Sequence, residues 1–549
     1  MNRFAALLDR LAYEPSRLAK IALIGAYFRQ VPDPERGFAL AALTGSLVFP
    51  HAKAGSVRAL IAERSDPALF ALSYDYVGDL SETVALMWPA SPTMPGPGHN
   101  VPEPTLAEII VTLQQTPKRE LPQLLASWLD QLDETGRWAL LKLITGGLRI
   151  GVSARLAKTA LASLGPLSAD DIGEVWHGLE PPYAALFAWV EGTGPRPEAT
   201  DPAPFRPVML AHPLEDSDFD KLDPKDFRAE WKWDGIRVQA TSGTRPDGTR
   251  VIRLYSRTGE DISAAFPDVA EAMTLDGALD GELLVMREGR VQSFNILQQR
   301  LNRKAVTAKM LVEHPAHIRA YDLLADGTED LRRLPGEVRR ARLESYVARL
   351  GTDRVDVSPE LPFTGWEQLA VARADPALHG AGDDSEAIEG CMLKRADSPY
   401  LPGRPKGHWF KWKRDPRLTD CVLMYAQRGH GKRSSFYSDF TFGVWRETAN
   451  GDELVPVGKA YFGFTDEELV LLDRHVRKHT LNRFGPVREV VHGPDEGLVL
   501  EIAFEGLQRS TRHKSGIAMR FPRIHRIRWD KPPREADRLT TLEAFLPST

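Results

Sequence analysis

The chain has 549 residues, of which 42% are hydrophobic and 26% charged, and a formal net charge of -5. Such a length exceeds one hydrophobic core, so roughly two to four domains are expected. The balanced charge excludes reading a nucleic-acid partner from overall basicity, which leaves only a local basic surface for that role. Only two cysteines occur, Cys391 and Cys421. They exclude a disulfide framework and a four-cysteine zinc site, and they fit a reducing, cytoplasmic compartment. The first residues lack the apolar run of a signal peptide, and no apolar stretch is long enough to predict a membrane span.

Residues 1–195 read as helical. Phe4, Leu7, Leu8 and Leu11 recur at i, i+3, i+4 and i+7, and so do Leu121, Leu124, Leu125 and Trp128. An all-α N-terminal domain is expected. The stretch PASPTMPGPGHNVPEP (89–104) carries six prolines, which predicts a surface loop. In TGGLRIGVS (145–153), glycines, hydroxyls and Arg149 fit either a backbone approach to phosphate or a helix-to-helix turn. No internal repeat is evident. The string GTGPRPEATDPAP (192–204) has the composition of a linker.

From 205 to 414 the texture changes. The β-rich runs 228–240, 249–256, 277–285 and 317–324 alternate with charged helical patterns, which predicts an α/β (α+β) domain. Residues 415–549 are strand-rich again, at 420–427, 439–447, 454–463 and 497–508, with a charged helical segment at 466–480. Five or so short strands with one helix predict a small β-barrel of the OB type.

The chemistry-bearing residues begin at EWKWDGIRVQ (230–239). Lys232 sits in a strand-like run between two tryptophans. An aromatic-walled, partly buried ammonium is desolvated, which favours the neutral, nucleophilic amine. The same tetrad also reads as an edge-strand lysine beside a turn, so its surroundings decide. Arg257 follows in SRTGED, Asp280 and Glu282 in LDGELLV, Tyr321 in AYDLL, Glu389 and Lys394 in EGCMLKR, and Lys411 and Lys413 in WFKWKR. Singly, each is a turn, a strand end or a solvated charge. Together they provide carboxylates for a metal, lysines for phosphate charge, an aromatic face for a purine and a nucleophile.

The order Lys-x-Asp-Gly, Ser-Arg, Asp-Gly-Glu, aromatic-Asp-Leu, Glu-Gly-x-Met-x-Lys, Trp-x-Lys-x-Lys resembles the covalent nucleotidyltransferases, and most closely the ATP-dependent DNA ligase family. The resemblance spans 205–549, and LLKLITGGLRIGVS (140–153) is similar to the family's helical DNA-binding domain. It implies a DNA-binding domain over 1–195, an adenylation (nucleotidyltransferase) domain over 205–414 and an OB-fold over 415–549. It implies Lys232 as the nucleophile and Glu230 as the reader of the adenine amino group. Arg237 and Arg257 would contact phosphate and sugar. Glu282 and Glu389 would be the metal-associated carboxylates, and Tyr321 the adenine stack. Lys411 and Lys413 would meet the α-phosphate, with Lys394 and Arg404 also on the nucleotide. From Arg509 to Arg534 nine Lys/Arg face one acid, Asp530. RFPRIHRIRWDK (520–531) resembles the family's terminal motif, which assigns Arg528 and Lys531 to the pyrophosphate.

The same resemblance implies ATP as co-substrate, Mg²⁺ or Mn²⁺ as metal, and nicked duplex DNA encircled by a monomer, with no membrane. An RNA ligase or a capping-type enzyme is the alternative within the superfamily. The long helical region and Arg528-Trp529-Asp530-Lys531 favour a DNA ligase. An NAD-dependent ligase would need four zinc-binding cysteines. A non-catalytic DNA-binding relative would be expected to have lost Lys232, Glu282 or Lys413, and all three are present.

Overall fold

The computed structural model describes residues 1–546 apart from 78, 90–102, 199–200, 302, 304, 305, 430–434 and 512. Most of the proline-rich loop expected at 89–104, and part of the linker at 192–204, lie outside the described residues. The described chain divides into two compact units. One comprises Met1–Ile172, Leu179–Pro197 and Arg417–Leu546; the other comprises Gly173–Gly178 and Glu198–Pro416.

Before Pro197 every described element is a helix. Helix Asn2–Tyr13 buries Phe4, Leu7, Leu8 and Leu11, the expected stripe. Helix Leu121–Gln131 buries Leu121, Leu125 and Trp128 and leaves Leu124 half-buried. TGGLRIGVS is a helix-to-helix turn. Gly146 ends Glu134–Thr145 in the left-handed region, and Ser153 Oγ accepts from the Leu156 amide to start Ala154–Ala162. Gly45 ends Glu35–Thr44 in the same way ahead of Ala54–Ala62. Leu-Thr-Gly-Ser-Leu (43–47) and Ile-Thr-Gly-Gly-Leu (144–148) thus mark a repeated helix–turn–helix device, where the sequence had suggested no repeat.

The C-terminal β domain is OB-like. Its central strand, Arg417–Arg428, pairs with Tyr437–Thr448 on one edge and with Val487–Val490 and Val499–Phe504 on the other. Arg523–Arg528 continues the sheet beyond Val499–Phe504. Helix Asp466–Lys478, started by a Thr465–Glu468 capping box, lays Leu469, Leu472 and Val476 on a core that includes Phe440, Phe442 and Phe504. Among the described residues the sheet has seven strands, against the five or so expected. The short pair Thr480–Phe484 and Val487–Val490 accounts for the excess; Thr480–Phe484 is largely exposed and lacks apolar alternation.

The second unit is built on two sheets. One runs in the order His212–Pro213, Trp409–Lys413, Ile388–Arg395, Phe227–Trp233, Glu360–Leu361. The other runs Arg250–Ser256, Ile236–Thr244, Gly277–Arg287, Ala316–Asp326, Glu329–Asp330, with Arg290–Val291 and Val355–Val357 at its sides. Pairing is mostly antiparallel, with parallel contacts at His212–Pro213 and Val355–Val357. The β-rich run 228–240 is two strands in two sheets, broken at Asp234-Gly235. A Cβ on Gly235 would lie 2.5 Å from the Leu283 carbonyl oxygen and 2.8 Å from Glu282 Cγ. Only glycine lets the turn pass so close to the strand of the neighbouring sheet.

Candidate active site

Alternation along the strands decides which side chains meet. In Phe227–Trp233, the residues Phe227, Ala229, Trp231 and Trp233 enter one apolar core. Arg228, Glu230 and Lys232 take the opposite face. Across the register, Glu230 lies opposite Met392, and Lys232 opposite Gly390; Met392 in turn faces Lys411, Gly390 faces Lys413, and Lys394 faces Trp409. One sheet face thus carries Glu230, Lys232, Met392, Lys394, Trp409, Lys411 and Lys413. From the other sheet, Arg237 lies opposite Glu282 and beside Asp280, while Tyr321 projects from the bulged strand Ala316–Asp326. A cleft of about 510 Å³ is lined by both sets, with Arg257 and Arg404 on its wall.

Lys232 Nζ donates to Glu389 Oε2, and Lys413 Nζ lies 4.0 Å from the same oxygen. Burial works against the Lys232 charge, but Glu389, Glu282 and Asp234 outweigh it and hold its pKa above that of an ordinary lysine. This corrects the sequence expectation of a neutral, aromatic-walled amine. Trp231 and Trp233 flank Lys232 in sequence but point to the other side of the sheet, and the cleft face supplies carboxylates instead.

Glu282 shows the converse. Burial, opposed by Lys232 and Arg237 and reinforced by Glu389 and Asp280, pushes its carboxyl up to about 8. Lys411 is lowered by burial and by the crowd of Lys413, Arg404, Lys232 and Arg257 around it. Lys411 is thus in electrostatic range of four further cations on the same cleft. Glu230, 1% exposed, accepts from Lys394 Nζ at 2.9 Å, and the same ammonium sits 4.4 Å from the centre of the Tyr321 ring and 5.0 Å from Trp409. Arg237 makes a two-point bond to Asp280 at 3.0 and 2.6 Å. Tyr400 Oη completes that cluster, accepting from Arg237 at 3.0 Å and donating to Asp280 at 2.6 Å.

Eleven of the sequence-predicted residues, Glu230, Lys232, Arg237, Arg257, Glu282, Tyr321, Glu389, Lys394, Arg404, Lys411 and Lys413, line this cleft. Arg528 and Lys531 do not. They belong to the other unit, where both donate to Asp420 Oδ2, at 3.2 and 2.7 Å, and Arg528 also holds Asp530. The sequence reading gave no role to Met392 and Trp409, which stand in its quoted motifs, and missed Tyr400. The first two stand two residues from Lys394 and Lys411 in strand-like runs, so alternation alone would have found them. Tyr400 follows the strand in an irregular loop and leaves no such signal.

The comparisons fit this cleft. The family model described as "ATP dependent DNA ligase domain" matches residues 208–413, and that described as "ATP dependent DNA ligase C terminal region" matches 433–531. A "Probable DNA ligase" of Koribacter versatilis is 30% identical over 99% of this chain and 96% of its own length. The chain belongs to the ATP-dependent DNA ligase family. A "DNA ligase 1" of Korarchaeum cryptofilum is likewise 30% identical, over 98% of this chain and 96% of its own. The solved structure described as "Pmar-Lig_Pre." shares the fold, with a TM-score of 0.58 at 16% identity over 96% of this chain and 99% of that one. ATP use follows from family membership. Among the described residues, no helix of this ligase is long and apolar enough to cross a membrane.

Proposed function

We propose that this ligase seals 3′-OH/5′-phosphate nicks in duplex DNA through an AMP adduct on Lys232. The supporting observation is the placement of Lys232 on a polar sheet face beside Glu389, in a cleft with five cations and a buried Glu230–Lys394 pair. In the first step the Lys232 ammonium gives up a proton to solvent, its lone pair attacks the α-phosphorus of ATP, and a second proton leaves as the P–N bond forms. The bond to the β-phosphate oxygen breaks and pyrophosphate leaves. Lys411, Lys413, Arg257 and Arg404 offset the charge that develops there. Glu230 takes the adenine amino group, Tyr321 the purine face, and Arg237, fixed by Asp280, the phosphate or sugar. In the second step a 5′-phosphate oxygen of the nick attacks the same phosphorus and the P–N bond breaks, which restores Lys232. In the third the 3′-hydroxyl attacks the 5′-phosphate, loses its proton and expels AMP.

Among the described residues no three His, Cys, Asp or Glu converge on one point. The residues present still suit Mg²⁺ or Mn²⁺, which often bind through one or two carboxylates and the substrate's phosphates. Glu282 and Glu389 would hold the ion, since both line the cleft and burial, together with the charge of Glu389, raises the Glu282 carboxyl, which favours a cation beside it. When bound, such an ion supplies Lewis-acid charge neutralisation at the phosphates.

In this reading the chain has three parts: a helical DNA-binding domain over 1–195, the nucleotidyltransferase domain over 205–414 and the OB domain over 415–549. A monomer encircles the duplex, in a cytoplasmic compartment. Arg528 and Lys531 exchange Asp420 for pyrophosphate in the first step. The test is incubation with α-labelled ATP followed by denaturation. Label should remain on the chain, Lys232→Ala should carry none, and that variant should still seal a pre-adenylated nick. An alanine variant that acquires label would refute the assignment of Lys232.

A further inference from the structure

Gly173–Gly178 lies in the helical N-terminal stretch of the sequence, yet it is part of the second unit. Two features fix it there. Glu174 makes a two-point ion pair with Arg332, at 2.6 and 2.9 Å, and Arg332 is held in turn by Asp330 at 2.6 Å. His177 packs edge-on against Phe205, with ring centres 4.5 Å apart, and lies 5.9 Å from Tyr255. Phe205 and Tyr255 are themselves 5.4 Å apart, so the three rings form one cluster.

The imidazole also covers Gly259. A Cβ there would lie 2.3 Å from His177 Cε1, and the residue has φ +86°. Gly259 closes a tight turn: its amide donates to the Ser256 carbonyl at 2.9 Å, and the Ser256 amide donates to the Glu260 carbonyl at 2.8 Å. That turn carries Arg257, whose side chain reaches the cleft wall and whose charge is felt by Lys411. Arg257 is otherwise exposed. Its direction is therefore set by the turn, and the turn is backed by a ring from another part of the chain.

We propose that His177 is a positioning residue for Arg257, bracing the Ser256–Glu260 turn at Gly259 so that the guanidinium faces the nucleotide. This rests on the assignment of Arg257 to the ATP phosphates or sugar. One residue from the helical stretch is then part of what sets ATP affinity, although it touches no nucleotide. The contacts with Phe205, Tyr255 and Gly259 are made by the flat face and edge of the ring.

The test uses the full chain and reads adenylation at varied ATP alongside sealing of a pre-adenylated nick. His177→Ala should raise the KM for ATP about tenfold, equivalent to about 1.4 kcal/mol of lost binding. It should leave the rate at saturating ATP and the sealing of the pre-adenylated nick nearly unchanged. His177→Phe, which keeps a flat ring, should restore KM to within about twofold of the parent. In an Arg257→Ala background, His177→Ala should have no further effect, because the two act through one contact. A parental KM in His177→Ala overturns the proposal. So does a loss that multiplies with that of Arg257→Ala, or equal damage to both half-reactions, which would mark His177 as merely structural. A parental KM in Arg257→Ala overturns the assignment of Arg257 itself, and absence of any adduct in the unaltered chain overturns the ligase reading.

Discussion

Glu230 and Lys394 meet diagonally across neighbouring strands, with side chains only 2% and 9% exposed. Removing Glu230 strands the Lys394 charge away from water, at about 3–5 kcal/mol, whereas removing Lys394 leaves Glu230 only the more distant Arg340, at 3.7 Å. Glu230→Gln and Lys394→Met should each lower the melting temperature of the second unit. The double variant should lose less than the sum, because it leaves no lone charge. A single variant that melts like the parent would contradict the pairing. At this scale the sequence was informative about identity and poor about state. Lys232 was legible from its tetrad and the motifs that follow. Its protonation was not, because the deciding carboxylate, Glu389, lies 157 residues away and reaches it only through sheet register. Tyr400, which joins Arg237 to Asp280, was invisible for the same reason: its partners are 163 and 120 residues distant.

Arg528, the last residue of strand Arg523–Arg528, and Lys531, three residues on, share one anion, Asp420. If they serve the departing pyrophosphate, Arg528→Ala and Lys531→Ala should slow adenylation by at least about tenfold. Both should seal a pre-adenylated nick at close to the parental rate, since no pyrophosphate leaves there. A basic strand that only grips DNA predicts the opposite, normal adenylation with poor sealing, and the two half-reactions measured on the same proteins distinguish these. In the same domain, His475 on helix Asp466–Lys478 stacks on His479 with ring centres 4.2 Å apart. Burial, then the charges of His479 and Lys478, lower its pKa from 6.5 to about 4. The unfolded chain therefore takes up this proton at a higher pH than the folded one. The stability His475 supports is intact above about 6.5 and is lost as pH falls towards about 4. His475→Phe should flatten the acid limb of the β domain's unfolding curve over that window, and an unchanged limb would count against the burial. Elements were legible where apolar spacing was regular, as in Asn2–Tyr13. They were not legible where a strand is exposed, as in Thr480–Phe484, and Asp234-Gly235 was legible as a turn but not as the passage from one sheet to the other.

A net charge of -5 on the whole molecule coexists with a cationic cleft and a C-terminal stretch carrying nine Lys/Arg, so affinity for DNA must come from local contacts. Binding to nicked duplex should then fall linearly with salt on logarithmic axes, with a slope of about -0.9 per phosphate neutralised. Adenylation at saturating ATP should change little over the same range; parallel loss of both would indicate a general salt effect on the fold. The texture changes at 205 and 415 were plain in the sequence because linker composition and strand-rich runs are local properties. The membership of Gly173–Gly178 was not, since it depends on what Glu174 and His177 touch far along the chain. That placement bears on how such a protein could be recombined. A chimera joined at the compositional linker, 192–204, would graft a foreign helical region and discard the brace of the Arg257 turn with it. A cut before Gly173 would keep the brace but take helix Ala184–Val190, whose Phe187 packs on Phe28, away from its own unit, so no single junction separates the two and a graft has to carry Glu174 and His177 into the foreign helical region.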